Sequence, residues 1–446
     1  MNGIKVRVDN QPAATLVGRR KELEELTKYL GSTSPKNVNV VGEPFIGLTS
    51  LLQYVYQEQV GRSNDGASVY VWLPMVALGR RDSTAFWSFL LNQLEQEMKR
   101  QNLSLPGDSF TSTDPSELFH LLTARIVELH QTGRADRIIF VIDNFELAIP
   151  MLTPDDITNL RGLIETNQGY FAVVLGSSKG VGNLEFEHFP EWQHGSRLAH
   201  RFEGHIPVGL LSRDEAAQLL QQENVYLEES ELAANEINFL LTEVGHHPGL
   251  LKIAIQRFAE QRRSTIPYEA TRLDLDTDDR VSSILRALYD HKGRTLEEQR
   301  FLRLLAEQGA VPVEPQRAIL VEGLRKRGLV QLEDGQVSLF SQVFRRWIRT
   351  QTSITQPVYE HKPPVPDGLT SVEERLLKFF EANVGRIIPA DELLRNVWGD
   401  YRSVSVVEKG VNRLRSKIEP DPKQPSLIYT VTGRGYVYRP NGSGKR

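Results

Sequence analysis

Residues 38–55 read VNVVGEPFIGLTSLLQYV, and this stretch decides how the first half of the chain folds. It begins with a short apolar run rich in valine, as expected of a buried strand. A turn with two glycines follows, and the segment after it has the leucines typical of a helix. The order of strand, glycine turn and helix predicts the opening unit of an α/β domain.

The glycine turn differs at one position from the phosphate-binding loop pattern G-x-x-x-x-G-K-[ST]. Gly42, Gly47 and Thr49 stand where the pattern requires them, whereas Leu48 replaces the lysine. Backbone N–H groups of such a loop and of the following helix bind phosphate without help from side chains. Losing the lysine removes a charge-assisted contact worth about 1.5–3 kcal/mol, which is roughly one to two decades in affinity.

Three interpretations of the loop stay open at this point. The loop is a purely structural element, a site that binds a nucleotide with little or no hydrolysis, or the site of a slow ATPase. The lysine also faces charge on the transferred phosphoryl group, so its absence argues against an efficient enzyme. If the site binds a nucleotide, the expected cofactor is ATP or ADP with Mg²⁺; otherwise no cofactor is expected.

Short β-branched runs alternate with longer amphipathic segments over the first two hundred residues. The runs lie at 38–41, 69–73, 138–142 and 171–175, and the amphipathic segments lie at 20–30, 85–100, 117–131 and 155–165. This alternation predicts βαβ units, and hence a parallel sheet with helices on both faces. We expect this α/β domain to cover 15–205, after an N-terminal extension at 1–14.

Polar side chains end two of these runs. Asp143 ends RIIFVID, Glu146 follows three residues later, and FAVVLGSS ends in Ser177 and Ser178. A carboxylate at the tip of a buried strand is placed to hold Mg²⁺ together with Thr49, and a nearby glutamate can orient an attacking water. Asp143 and Glu146 are the catalytic candidates, although an N-cap and a solvated helix start also account for them.

Helical patterns dominate after residue 206. Ser212 and Glu215 form a capping box, which helps to predict a helical subdomain at 206–275. Further helices then lead to LVQLEDGQVSLF, whose Glu-Asp-Gly turn between two strand-like runs predicts a hairpin. Helices followed by a small hairpin are typical of a winged helix, which we place at 276–350.

The last part of the chain differs in composition from the rest. Residues 351–368 are rich in proline and predict a linker. From residue 368 onward there are 14 Lys/Arg against 9 Asp/Glu, whereas the first 367 residues have 39 against 48. A basic end indicates a nucleic-acid partner. The layout of helices and hairpin is repeated here, so we place a second winged helix at 369–440, before a tail at 441–446.

The N-terminal part resembles the STAND branch of the AAA+-related P-loop ATPases. VVGEPFIGLTSLL is similar to the VxGxxxxGKTSLL of that group, VIDNFEL to its hhxDNxE strand, and GHHPGLLKIA to the GxP segment of its helical lid. The resemblance covers about 15–350 and implies a regulatory NTPase module, in which Arg19 can supply one positive charge. The predicted nucleotide-binding residues are Gly18, Arg19, Gly42, Gly47, Leu48, Thr49, Ser50, Asp143, Ser177 and Pro248, with Thr49 and Asp143 as the Mg²⁺ ligands.

The segment SVVEKGVNRLRSKI at 405–418 predicts a helix with two different faces. Helical spacing assigns the buried face to Val407, Val411, Leu414 and Ile418. The residues that then point to solvent are Ser405, Lys409, Asn412, Arg413 and Ser416. Arginine and lysine can bond guanine, asparagine can bond adenine, and neighbouring cations hold phosphates, so this face suits the major groove of DNA.

Residues 369–438 resemble the DNA-binding domain of OmpR/PhoB-type response regulators. The matching pieces are LTSVEERLLKFF, GRIIPADELLRNVWG, VNRLRSKIEPDP and IYTVTGRGYVY. The resemblance implies a winged helix with an N-terminal strand set and double-stranded DNA as the partner. Asn412, Gly410 and Thr432 depart from the family pattern. The predicted DNA-binding residues are Ser405, Lys409, Asn412, Arg413, Arg415, Ser416, Lys417, Thr432 and Arg434.

Bulk composition excludes several classes of protein. The chain has 446 residues, enough for three or four domains, and no cysteine, which excludes disulfides and thiolate chemistry. No apolar run approaches the roughly 20 residues of a membrane helix, so we expect a cytoplasmic protein with no membrane partner. The adjacent His246 and His247 have no third ligand nearby, so a lid or capping role is expected rather than a metal site.

The sequence as a whole predicts a transcription regulator that binds specific DNA under the control of a STAND-like module with impaired nucleotide hydrolysis. A protein or small-molecule signal and self-association on DNA are the further partners considered. One alternative is a DNA-tethered AAA+-like assembly or adaptor protein of a transposition or phage-defence system. Another is a repressor that uses its NTPase fold only as a protein-docking scaffold.

Overall fold

The computed structural model describes residues 16–32, 34–62, 68–79, 82–103, 112–189, 198–226, 230–263, 275–290, 294–355, 369–383, 387–394, 397, 405–419, 425, 427–431 and 435–438. The chain forms two compact units, Met1–Ser353 and Ile354–Arg446. Within the described ranges, no helix is long and apolar enough to cross a membrane. The predicted extension at 1–14, most of the predicted linker and the tail at 441–446 lie outside the described residues.

A sheet of five parallel strands forms the centre of the first unit. Its strands are β1 (Val38–Gly42), β2 (Ser68–Pro74), β3 (Arg137–Asp143), β4 (Phe171–Ser177) and β5 (Gly204–Val208), in the order β2-β3-β4-β1-β5. The four β-branched runs are four of these strands, so the predicted parallel sheet is confirmed. The loop after β1 lies at the carboxyl edge of the sheet, where ligands bind in folds of this kind.

Helices cover both faces of the sheet, as predicted. They are α1 (Arg20–Leu30), α2 (Leu48–Arg62), α3 (Ser83–Arg100), α4 (Pro115–Gln131), α5 (Pro154–Thr166) and α6 (Val181–His188). Alternate strand residues enter two separate apolar cores. Ile139 and Val141 join the core of α1 and α2, whereas Ile138 and Phe140 join the core of the other helices. This alternation follows from the two-residue period of a strand.

The fifth strand differs from the prediction, which ended the α/β domain at residue 205. β5 pairs with β1 along its whole length and continues to Val208. Its apolar signal is short, and Pro207 argues against a strand in the middle of a sheet. β5 has a neighbour on one side only, and an edge strand tolerates proline because its outer N–H groups need no partner in the sheet.

Three helices form the predicted helical subdomain, namely α7 (Arg213–Tyr226), α8 (Ala234–Val244) and α9 (Pro248–Arg263). The predicted capping box begins α7. The Ser212 N–H donates to Glu215 Oε2 at 2.8 Å, and the Glu215 N–H donates to Ser212 Oγ at 3.3 Å. Leu220, Leu240 and Phe258, one from each helix, are fully buried in one apolar core.

A winged helix follows the helical subdomain. It comprises α10 (Asp279–Tyr289), α11 (Leu296–Gln308), β6 (Val311–Pro312), α12 (Ala318–Lys326), β7 (Val330–Glu333), β8 (Gln336–Leu339) and α13 (Gln342–Thr355). The predicted hairpin turn is confirmed, since Asp334 and Gly335 join β7 to β8 with φ of 49° and 73°. The winged helix and the helical subdomain share a single apolar core. α13 ends at Thr355, inside the predicted linker.

The second unit is the predicted C-terminal winged helix. It comprises α14 (Ser371–Ala382), β9 (Ile387–Ile388), α15 (Ala390–Leu393), α16 (Ser405–Ile418), β10 (Ile428–Val431) and β11 (Gly435–Tyr438). Thr370 caps α14 through a capping box with Glu373. The strands form an antiparallel sheet in the order β10-β11-β9. The strand set implied ahead of α14 falls outside the described residues.

Candidate nucleotide site and DNA-binding helix

The loop after β1 lines a cavity of about 1100 Å³ with all of its residues from Gly42 to Ser50. Gly47 has a φ of 92°, a conformation that favours glycine, and it leads the chain into α2 at Leu48. A helix N-terminus carries partial positive charge and N–H groups without partners in the helix. This end of the cavity therefore suits an anion.

Leu48 is 8% exposed and belongs to the apolar core beneath the loop, together with Ile46, Leu51 and Val208. A lysine at this position would place an ammonium group beside bound phosphate, whereas leucine adds apolar area to the core. The loop thus keeps its shape without the lysine because Ile46 and Leu48 pack into this core. The sequence identified the substitution, but only the structure shows the packing that accompanies it.

Thr49 and Asp143 are brought together although 94 residues separate them, since Thr49 Oγ1 donates to Asp143 Oδ2 at 2.9 Å. The other carboxylate oxygen is buried and has no hydrogen-bond partner among the described residues. Burial raises the pKa of Asp143, and the Thr49 hydrogen bond opposes this rise. A hydroxyl beside such a carboxylate fits Mg²⁺ that keeps several waters. Within the described ranges, no three His, Asp or Glu side chains cluster as a metal site.

Glu146 faces the cavity, whereas Ser177 does not. Glu146 Oε1 accepts a hydrogen bond from the Ser178 N–H at 3.3 Å, and burial raises the pKa of Glu146. Ser177 is fully buried, and its hydroxyl donates to the Lys179 carbonyl at 2.5 Å. Of the two serines at the end of this strand, Ser178 lines the cavity and Ser177 does not.

Arg19 lines the cavity, but its guanidinium is already bound to groups within the protein. One Nη donates to the Ile46 carbonyl at 2.6 Å, and the other donates to the Gly209 carbonyl at 2.7 Å and to Glu22 at 3.0 Å. Burial lowers the pKa of Arg19, and Glu22 opposes this. Arg19 therefore ties the loop to the segment that follows β5.

Pro248 and Gly18 are two further predicted nucleotide-binding residues, and only Pro248 lines the cavity. Pro248 begins α9, and its Cγ lies 3.8 Å from the place that a Cβ on Gly47 would take, so the helical subdomain contacts the loop. Gly18 does not line the cavity. Its φ is 72°, and a Cβ there would lie 2.7 Å from the side chain of Glu215, so glycine is required for packing.

His247 supports the contact between the loop and the helical subdomain. It is almost completely buried, and its Nδ1 accepts a hydrogen bond from the Leu250 N–H at 3.3 Å, at the start of α9. The predicted capping role is therefore confirmed. Burial lowers the pKa of His247 to about 4. The neutral ring packs as a core residue, with its centroid 5.8 Å from that of Phe340 in the winged helix.

A buried ion pair between the loop and the first winged helix was not predicted from sequence. Arg294 Nη2 donates to Glu43 Oε1 at 3.0 Å and to the Leu288 carbonyl at 2.5 Å. Arg327 Nη1 lies 3.8 Å from the same carboxylate. Burial raises the pKa of Glu43, and Arg294 opposes this. The only available signal was an acidic side chain in a loop that resembles a phosphate site.

The C-terminal helix α16 has the predicted two faces. Val407, Val411 and Leu414 are fully buried, and Ile418 is partly buried in the same core. Lys409, Asn412, Arg413 and Ser416 are exposed, and so are Glu408 and Lys417 of the same helix. Four of the predicted DNA contacts thus share one solvent face, with two cations, an amide and a hydroxyl available to bases or phosphates.

Arg415 departs from the prediction that it contacts DNA. Its side chain is directed inward, so that the residue is 8% exposed. Its guanidinium donates to the Ile428 carbonyl at 2.7 and 3.0 Å and to Thr430 Oγ1 at 2.9 Å. It also lies 5.8 Å from the centroid of the Tyr436 ring. The residue follows Leu414 at the border of the buried face, and it ties α16 to β10 and β11.

The other predicted DNA contacts have mixed surroundings. Lys417 Nζ lies 2.6 Å from Glu373 Oε2, an ion pair that ties the end of α16 to α14. Ser416 Oγ donates to the Asn412 carbonyl at 2.9 Å. Ser405 is the first residue of α16. The hairpin-tip residues Thr432 and Arg434 lie outside the described residues.

Comparison with known proteins identifies relatives of the C-terminal winged helix. Residues 367–438 match the family model described as transcriptional regulatory protein, C terminal. Protein PetR of Rhodobacter capsulatus is 38% identical over 84 residues, 17% of this chain and 35% of that protein. The transcriptional regulatory protein YvrH of Bacillus subtilis is 38% identical over 74 residues, 16% of this chain and 31% of that protein. The chain spans about a third of the length of these curated relatives.

The first unit has a structural relative. A Walker-type ATPase of Pyrococcus abyssi matches 75% of this chain and 96% of its own chain, with a TM-score of 0.50 and 17% sequence identity. A likeness at this identity shows the fold and leaves the activity open. The chain thus combines a P-loop ATPase-like α/β fold, with its helical subdomain and winged helix, with a C-terminal winged helix that matches those of transcriptional regulators.

Proposed function

We propose that this protein is a transcription regulator that binds specific sites on double-stranded DNA through its C-terminal winged helix. The observation that carries the proposal is the solvent face of α16, where Lys409, Asn412 and Arg413 are exposed together. This face lies within the segment that matches the C-terminal domain of transcriptional regulators. Lysine and arginine can bond guanine O6 and N7, and asparagine can bond adenine N6 and N7, so the face can read base edges.

The first unit acts in this proposal as a STAND-like module that binds ATP or ADP with little or no hydrolysis. A cavity of about 1100 Å³ has room for a nucleotide. The loop and the N-terminus of α2 would hold the phosphates, and Thr49 and Asp143 would hold Mg²⁺, which neutralises phosphate charge when bound. The apolar side chains that can line the base are Leu16, Val17, Leu211 and Leu219.

Weak hydrolysis follows from the same residues. Leu48 offers no charge to a transferring phosphoryl group, and Arg19 is held by backbone carbonyls. Glu146 remains at the cavity with one carboxylate oxygen free of partners among the described residues, and it can orient a water. The arrangement therefore favours binding of a nucleotide over its turnover.

Control of DNA binding would be positional. A protein or small-molecule signal, or a nucleotide, would change how copies of the first unit associate. Association would bring two C-terminal winged helices onto adjacent half-sites, and two linked weak binders gain affinity through their effective concentration. Sequence specificity would come from α16, while the first unit would set the number of winged helices that bind together.

Selection of bound sequences from random double-stranded DNA tests the DNA-binding half, with full-length protein at a stated salt concentration and with or without ATP. We expect a defined site with repeated half-sites and weaker binding by Lys409→Ala and Arg413→Ala. Arg375→Ala, which removes an exposed arginine from α14, is the matched control. Sequence-independent binding with polymerisation on DNA would contradict a regulator and favour the DNA-tethered assembly protein.

Nucleotide affinity tests the other half. Titration of full-length protein with ATP and Mg²⁺ should show binding by the wild type, tighter binding by Leu48→Lys and weaker binding by Asp143→Ala. Phosphate release should stay near background in the wild type. If none of the three proteins binds a nucleotide and DNA affinity is unchanged, the first unit is a scaffold and the nucleotide half of the proposal is wrong.

A further inference from the structure

The cavity contains a lysine that the phosphate-loop pattern does not account for. Lys252 of α9 lines the cavity together with the loop residues. Its Nζ lies 2.8 Å from Glu223 Oε1 of α7, which lines the same cavity. The side chain of Lys252 is 54% exposed and that of Glu223 is 20% exposed, so the ammonium group can move while both charges keep contact with water.

The spacing along α9 places Lys252 on the side of the helix that contacts the loop. Pro248 approaches Gly47, and a Cβ on Gly249 would lie 3.0 Å from the Phe45 carbonyl oxygen. Lys252 follows these residues by four and three positions, and residues at those spacings lie on one helix face. The lysine therefore projects from the contact surface between helical subdomain and loop, one turn from the contact itself.

The other cations of the cavity are less suited to meet a phosphate. Arg19 is held by the Ile46 and Gly209 carbonyls. The side chain of Lys179 is 11% exposed, and its Nζ contacts both carboxylate oxygens of Glu187, at 2.6 and 2.7 Å. Lys252 has a single carboxylate contact on a flexible arm, so moving its charge costs less desolvation and fewer hydrogen bonds than moving that of Lys179.

We propose that Lys252 supplies the phosphate-binding cation that Leu48 does not provide, and that Glu223 competes with the phosphates for its ammonium group. This inference rests on the proposed nucleotide binding by the first unit. It moves the cation from the loop to the helical subdomain. The phosphates of a bound nucleotide therefore bridge the loop and the helical subdomain, which are already in contact at Gly47 and Pro248.

Fluorescence titration with mant-ATP and Mg²⁺ tests the assignment on the full-length protein. Lys252→Ala should weaken binding about tenfold, the usual effect of losing one charge-assisted contact, while Lys252→Arg should stay within about threefold of the wild type. Glu223→Gln should tighten binding severalfold because it frees the lysine and removes a negative charge from the cavity. In the Glu223→Gln background, Lys252→Ala should remove the part of that gain that depends on the lysine, so the double variant should bind more weakly than Glu223→Gln.

The matched control is Lys36→Ala. Lys36 belongs to the same unit, its side chain is 46% exposed and it pairs with Glu203 at 3.3 Å, but it does not line the cavity. Its removal should leave affinity for mant-ATP unchanged. Competition by adenosine, which has no phosphates, should be the same for wild type and Lys252→Ala, because a general loss of cavity structure would weaken both ligands.

The outcomes separate this inference from the function on which it rests. Wild-type protein that binds no mant-ATP would overturn both. Wild-type binding with an unchanged affinity in Lys252→Ala would overturn the role of Lys252 and leave nucleotide binding intact. A tenfold loss in Lys179→Ala but not in Lys252→Ala would assign the cation to Lys179. Should Lys252→Ala unfold, an unchanged affinity in Glu223→Gln would equally count against the inference.

Discussion

Single buried charges decide much of the chemistry of this protein at the scale of residues. Arg19, Glu43 and Arg294 are almost fully buried, and each is bound to groups far away in the chain. A charge removed from water needs partners in compensation, so these residues hold the loop in one conformation. Leu48 also helps to hold the loop in one conformation, because it packs into the apolar core beneath the loop.

His247 makes the stability of the first unit depend on pH. Burial lowers its pKa in the folded protein to about 4, whereas a histidine in an unfolded chain titrates near 6.5. As the pH falls from about 6.5 to about 4, the unfolded chain binds a proton that the folded protein does not. The free energy of unfolding should therefore fall by about 3 kcal/mol from this residue alone, and stay constant below that range.

Chemical denaturation at pH 7 and at pH 4.5 measures this dependence. His247→Asn keeps an acceptor for the Leu250 N–H but does not titrate, so its difference between the two pH values should be smaller than that of the wild type. His120→Asn, at an exposed histidine of α4, is the control and should behave as the wild type. An unchanged difference in His247→Asn would contradict the prediction.

Elements are joined to each other by side chains at the borders of their buried faces. α16 shows this in two arginines that are two residues apart. Arg413 is exposed on the face proposed to meet DNA, whereas the guanidinium of Arg415 ties the helix to the hairpin. A helix of this kind therefore divides its cations between recognition and support of the fold.

Alanine at position 413 should weaken DNA binding, whereas alanine at position 415 should destabilise the fold. Arg413→Ala should lower DNA affinity by about 1–3 kcal/mol and leave the thermal unfolding temperature of the second unit unchanged. Arg415→Ala leaves the buried Ile428 carbonyl without its donor and should destabilise that unit by about 1–3 kcal/mol. Thermal unfolding measures the stability of each variant. A DNA titration of the folded variant, below its unfolding temperature, measures its DNA affinity. A stable Arg415→Ala protein with weaker DNA binding would contradict the supporting role.

The end of α8 depends on one glycine. Gly245 has a φ of 65°, and a Cβ there would overlap the carbonyl oxygen of Phe340 in the winged helix. Gly245→Ala should destabilise the first unit by about 2 kcal/mol or more, because strain and overlap add. Gly162→Ala in α5, where a Cβ meets no atom within 4 Å, is the control and should be neutral or slightly stabilising. Denaturant midpoints of both variants measure the effect.

At the scale of the whole first unit, the loop is held in place by contacts between residues far apart in sequence. Glu43 and Arg294 are separated by 251 residues, and their side chains are 2% and 0% exposed. The helical subdomain and the winged helix share one apolar core. The pair thus connects the phosphate-like loop to the winged helix that follows it.

Removing one residue of this ion pair should lower the free energy of unfolding more than replacing both residues with apolar ones. Arg294→Ala leaves a buried carboxylate with Arg327 as its remaining cation and should destabilise the unit by about 3 kcal/mol or more. The double variant Glu43→Leu with Arg294→Met removes both charges and fills their volume, so it should be clearly more stable than Arg294→Ala, although both variants leave the Leu288 carbonyl without its Arg294 donor. Denaturant unfolding at pH 7 compares them. A double variant as unstable as Arg294→Ala would show that the charges themselves are needed.

Sequence patterns determined most of the elements and their buried faces, although they missed β5. The runs at 38–41 and 138–142 form strands, and Val407, Val411 and Leu414 are buried, because side-chain periodicity encodes these features locally. Thr49 meets Asp143 across 94 residues because the carboxyl ends of parallel strands lie at one edge of the sheet. Only the tertiary structure decided which charged side chains are buried and which partners they bind. Whether Arg19 or Arg415 turns inward, and whether Glu43 meets Arg294, depends on carbonyls and carboxylates brought close by distant segments. No local sequence pattern predicts these contacts. A buried charge needs a partner only once folding has removed it from water, and folding also brings that partner close.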